Sequence, residues 1–234
     1  GWPCCSCISG STSADNGMFA SYASTVLLGF NGTIANDTAS LTIGNESASA
    51  QMGYFDTYKA FNTGADTFAA GTAVTGYEAP AARGKNTTDN NLQVTASVAE
   101  GTSLILSTRV ADSDQNVAVA VTTTVAGIAL GAQYDSSATG SDGTLLTAGA
   151  TFEGVALNAS YAEAGTAKSS NVNASYAGFG VAVQRDESGS TDESEVYGTY
   201  TLSDVAGIAG ASVTVGGGSS DTADKFGVRL NYAF

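Results

Sequence analysis

Histidine is absent from all 234 residues. That removes the side chain most often used as a general base and the commonest metal ligand. Cysteine occurs three times, as Cys4, Cys5 and Cys7, all within the first seven residues. An odd, crowded set of this kind is not a disulfide framework, and without histidine it does not complete a four-ligand zinc site. Lysine and arginine number 8 against 22 acidic residues, a net charge of −14. Phosphate backbones are bound by cationic clusters, so nucleic acid is excluded as a partner. Charged residues make up 13%, about half the roughly 25% of an ordinary soluble domain. Proline occurs only twice, whereas glycine occurs 29 times. No run approaches the ~18 consecutive apolar residues of a transmembrane helix. A membrane barrel stays open, because a barrel hides its apolar surface in alternation. No cationic and then apolar leader stands at the start, so a signal peptide is read as removed or absent. No nucleophile elbow or phosphate loop is present, and the chain is read as a non-enzyme with no cofactor.

What the chain has in quantity is alternation. Leu92, Val94, Ala96 and Val98 alternate with Gln93, Thr95 and Ser97. Ile128, Leu130, Ala132 and Tyr134 alternate with Gln133 and Asp135. Near the end, Phe226, Val228, Leu230, Tyr232 and Phe234 take every second position, with Arg229 and Asn231 among those between. Strand side chains point to opposite faces with a period of two, so each stretch predicts a two-faced strand. About eleven such strands follow residue 90, at the spacing of antiparallel hairpins. Their connections alternate in kind. Ala126-Gly127, Glu153-Gly154 and Ala177-Gly178 are tight, whereas 111–116, 136–143, 163–170, 186–195 and 216–224 read as longer polar loops. In an up-and-down sheet alternate connections share an end, so the long acidic loops gather at one end and the tight turns at the other. Membrane barrels sort their loops this way, and a soluble sandwich has no reason to.

The first ninety residues read differently. Residues 1–24 are expected to be irregular, with a single β domain over 25–234. Stretches 26–32 and 40–44 add two strands, about thirteen in all. Residues 45–90 do not alternate clearly and carry Glu46, Asp56, Asp66, Glu78, Arg83 and Lys85 among several aromatics. A connection this long inside a regular sheet is usually functional or disordered, and the aromatics favour order.

In these features the chain resembles the Gram-negative general porins over roughly 25–234. The resemblance rests on the aromatic strand 226–234, the segment 219–228 that leads into it, the hairpin cadence of 91–215, and Ser40-Leu-Thr-Ile-Gly44 followed by a long loop. It implies an all-β, transmembrane, antiparallel up-and-down β-barrel of about 14–16 strands, with 45–90 as a long inward-folded constriction loop. It also implies a passive diffusion channel of the bacterial outer membrane, a homotrimer whose partners are the lipid bilayer, small hydrophilic solutes and ions. Glu46, Asp56, Asp66 and Glu78 become candidates on the inner loop. Arg83, Lys85, Arg109 and Arg229 become wall candidates, the last two because alternation puts them on the lumen face. Phe226, Val228, Leu230, Tyr232 and Phe234 become the lipid face. The acidic balance predicts cation preference. The other class this composition fits is a secreted, acidic, β-rich surface-layer or adhesin protein. Its loops would offer carboxylate oxygens of the kind Ca²⁺ takes.

Overall fold

The computed structural model describes residues 4–28, 34–55, 57–60, 90–110, 117–136, 141–189, 191–221 and 224–232. Fifteen strands lie among them. They are β1 (Cys4–Ser13), β2 (Phe19–Leu28), β3 (Ile34–Gly44), β4 (Ala48–Tyr54), β5 (Asn90–Ala99), β6 (Thr102–Arg109), β7 (Val117–Val125) and β8 (Ile128–Ser136). Then follow β9 (Gly143–Phe152), β10 (Val155–Ala164), β11 (Ala167–Tyr176), β12 (Phe179–Ser188), β13 (Thr191–Ser203), β14 (Ala211–Ser220) and β15 (Asp224–Tyr232). Each strand is hydrogen-bonded to its neighbours in chain order. The chain divides into two compact units, Gly1–Lys59 with Ala82–Thr123 and Ala132–Gly143, and Ala60–Ala81 with Thr124–Gly131 and Thr144–Phe234. In the first, β1 to β7 pair antiparallel as successive hairpins. In the second, β10 to β15 do the same.

The strands form for local reasons. Ala126-Gly127, Glu153-Gly154 and Ala177-Gly178 are two-residue connections with positive φ at both positions. That is the type I′ turn, whose twist matches the twist of the strands it joins. The eleven strands expected after residue 90 are β5 to β15.

Four expectations change. The segment 1–24, expected to be irregular, contains β1 and the start of β2. Its serines, threonines and cysteines gave no apolar alternation to read, yet they pair in unbroken register from Cys4↔Leu28 to Ser13↔Phe19. Within 45–90, residues 48–54 form β4, so the long connection starts at residue 55. The expected loops 163–170 and 186–195 are mostly strand, with β10 turning into β11 at Gly165 and β12 into β13 near Gly189. These strand ends carry polar residues on both faces, so alternation of hydropathy stops before the hydrogen bonding does. Finally, Gly216-Gly-Gly218 lies inside β14 rather than in a loop.

The two faces are inverted relative to a soluble sheet. Thirty large apolar side chains are exposed among the described residues. Those buried include Asn91, Ser107, Gln133, Asn171, Asn173, Gln184 and Asp186. Fully burying a side chain of this size gains about 1.5–3 kcal/mol, so thirty left between 36% and 77% exposed forgo a sizeable part of that gain many times over. A domain's net stability is only about 5–15 kcal/mol.

Candidate functional site

The second unit shows the two faces most fully. On the exposed face, Ala159, Val172, Val183 and Val196 sit opposite one another across β10 to β13. Toward the Ala177-Gly178 turn, Tyr176, Phe179 and Tyr200 form an aromatic row in register, with the Phe179 and Tyr200 rings stacked at 4.2 Å and 29°. Toward the other end, the same face reaches Arg185 and then Glu163, Lys168, Glu187 and Asp192. Arg185 grips Asp192 with Nε and Nη2 at 3.0 and 2.6 Å, and its Nη2 lies 3.3 Å from Glu187. From Phe179 to Arg185 the strand covers about 20 Å at roughly 3.4 Å per residue. An apolar band of about that height, with aromatics at one edge and charge at the other, fits a wall facing lipid, whose apolar band is about 25 Å tall.

The opposite face carries a one-way run of hydrogen bonds. Asn158 Nδ2 donates to Asn173 Oδ1 at 3.1 Å. Asn173 Nδ2 donates to Asn171 Oδ1 at 2.9 Å, and Asn171 Nδ2 to Gln184 Oε1 at 3.3 Å. Gln184 Nε2 then donates to Asp186 Oδ2 at 2.8 Å, while Ser169 Oγ donates to Asp186 Oδ1. The run ends on Asp186, whose two carboxyl oxygens each accept one of these bonds. Asn171 is 1% exposed, so this polar face is organised by its own side chains.

In the first unit, the start of the long connection lies against the polar face of β5. Asn91 Nδ2 donates to the Phe55 carbonyl at 2.7 Å. Gln93 Oε1 accepts from the Tyr58 N–H at 2.7 Å. Phe55 and Thr57 are buried and Tyr58 is half-buried. Burial raises the Tyr58 phenol above its ordinary pKa, so the ring stays neutral at physiological pH.

The candidate residues from the sequence fall unevenly. Arg109 is half-buried at the end of β6, on the polar face and opposite Asn91 in register. Arg229 is half-buried on the polar face of β15, opposite Thr214. Glu46 is corrected from the long loop to an exposed position in the β3–β4 turn, where Asn45 Oδ1 accepts from the Ser47 and Ala48 N–H groups. It was misplaced because β4 was not legible as a strand. Asp56, Asp66, Glu78, Arg83 and Lys85 lie outside the described residues. Phe226, Val228 and Leu230 share the exposed face of β15, Phe226 at 77%. Tyr232 is the last residue of β15, in register with Ala211, and Phe234 lies outside the described residues. Alternation pointed to Asn158 and Asn173 as wall residues. It gave no sign that Asn91 and Gln93 would hold a distant backbone, since both bonds span about 35 positions of sequence.

The ladder of successive hairpins, apolar on one face and polar on the other, is the porin fold. Solved structures with this fold include a mutant of the Rhodopseudomonas blastica porin, at TM-score 0.67 and 18% identity over 97% of this chain and 89% of that one. A loop-deletion mutant of OmpT, an outer membrane protein of Vibrio cholerae, matches at TM-score 0.72 and 14% identity, with the same shares covered. No family model and no curated protein sequence matches the chain.

Proposed function

We propose that this chain is an outer-membrane porin, a passive diffusion channel for small hydrophilic solutes and ions. The observation that carries the reading is the inverted sheet, with apolar side chains exposed and amides, hydroxyls and carboxylates on the other face. Lipid on one side and water on the other is the environment in which that division costs nothing. The likeness of fold to porins and to an outer membrane protein supports the same reading. Permeation then needs no catalytic group: solutes cross hydrated, and side-chain charge sets ion preference. With a net charge of −14 the channel prefers cations, and Arg109 and Arg229 act as cationic points on its wall. A homotrimer completes the proposal, on the strength of the porin resemblance.

The test is electrophoresis of unheated and heated detergent extracts, followed by planar-bilayer recording in a salt gradient. A heat-shifted band, stepwise conductance and a cation-selective reversal potential are expected. A protein that dissolves as a monomer without detergent and gives no conductance would favour the secreted surface-protein class instead.

A further inference from the structure

We propose that Gly53, Asn91 and Gln93 form a clasp that fixes where Phe55 and Tyr58 lie against the polar face of β5, and that they act as positioning residues for permeation. The functional half of this rests on the porin reading; the clasp itself rests on geometry.

Gly53 has φ +123°, and a Cβ there would stand 2.3 Å from the Ala39 carbonyl oxygen. Only glycine fits so close to the neighbouring backbone in that conformation. Two residues later the chain has left β4. Asn91 and Gln93 are two apart on β5 and so share a face. They hold backbone groups three residues apart, the Phe55 carbonyl and the Tyr58 N–H. Their roles are opposite in sense: Asn91 must donate and Gln93 must accept. A slip of the segment by one residue would take the Phe55 carbonyl and the Tyr58 N–H away from both partners at once. The row beneath contains Arg109 opposite Asn91 and Ser107 opposite Gln93. Displacing the segment would therefore change both the width and the charge presented at this level of the wall.

The donor–acceptor sense supplies the test. Asn91→Leu removes the donor and Gln93→Leu the acceptor, whereas Gln93→Glu keeps an accepting oxygen. Each variant is checked for the heat-shifted band, then read in two ways. Amide hydrogen exchange at Tyr58 in the folded, detergent-bound protein reports the clasp. Single-channel conductance, with the polymer size excluded, reports permeation. The two leucine variants should speed Tyr58 exchange about fivefold, the factor one typical net hydrogen bond supplies, while Gln93→Glu stays within about twofold of the parent. Conductance should rise, with added open-channel noise, in the leucine variants alone. The clasp is overturned if Gln93→Glu exchanges like Gln93→Leu, or if Tyr58 exchanges freely in the parent protein. If exchange responds as stated but conductance and exclusion size do not move, the positioning role is overturned and the clasp stands. A parent protein that keeps the exchange pattern but never conducts overturns the porin reading, and the positioning role with it.

Discussion

Asn91 and Val94 show how much a residue's position on β5 matters. They stand three apart and face opposite ways, one 1% exposed and bound to a carbonyl, the other an exposed valine. The same division runs along β12, where Val181 and Val183 are exposed while Gln184 and Asp186 are buried. It yields a sharp test of environment. Val183→Arg should cost about 2–4 kcal/mol if Val183 faces lipid near mid-band. Urea unfolding from lipid vesicles, followed by the heat-shifted band, measures the loss. On the surface of a water-soluble protein the same change would lie within about ±0.5 kcal/mol, and that outcome would remove the lipid face. At this scale the alternation of the sequence was a sound guide to faces. Gln133, Asn158 and Asn173 are on the face it assigned them, as are Phe226, Val228 and Leu230. It could not place Asp186 or Glu195, because both stand among acidic and small residues that read as loop.

At the scale of elements, the hairpin is the unit, and turn chemistry was its most legible part. The Ala177-Gly178 turn illustrates why. Ala177 has φ 48° and Gly178 φ 87°. An L-residue other than asparagine or aspartate loses about 1–2 kcal/mol in the left-handed region. Ala177→Asn should therefore raise the midpoint of thermal unfolding, by an amount equivalent to a few tenths to about 1 kcal/mol. Gly178→Ala should lower it by more than that gain, since a Cβ would stand 2.5 Å from the Thr201 carbonyl oxygen. Differential scanning calorimetry of both variants in detergent checks the pair. Equal midpoints would mean that this turn does not hold the geometry described. Element ends were less legible, for a related reason. β10 to β13 run on through Glu163, Lys168, Glu187 and Asp192, which lie in one cross-strand row. Backbone pairing continues wherever partner strands continue, whereas hydropathy alternates only where one face is apolar. A reading based on hydropathy therefore stops short, as it did at residues 163 and 186.

For the whole molecule, charge makes the widest claim. An excess of 14 negative charges on a chain with few charged residues predicts selectivity by potential more than by a single binding group. Screening then controls it. The Debye length falls from about 10 Å at 0.1 M salt to about 3 Å at 1 M. The ratio of cation to anion permeability should accordingly be larger in dilute than in concentrated KCl. Reversal potentials at a fixed concentration ratio and two mean concentrations measure this, and a ratio that rises with salt would contradict it. Composition and a period of two were enough, by themselves, to determine a run of antiparallel hairpins with one apolar and one polar face. Those features follow from short-range sterics: alternating side chains, and turns that need positive φ. Only the tertiary structure decided that Cys4–Ser13 and Ala48–Tyr54 are strands, and that Asn91 and Gln93 meet Phe55 and Tyr58. Those facts depend on which strand lies beside which and on contacts some 35 residues apart, and no local pattern carries that information.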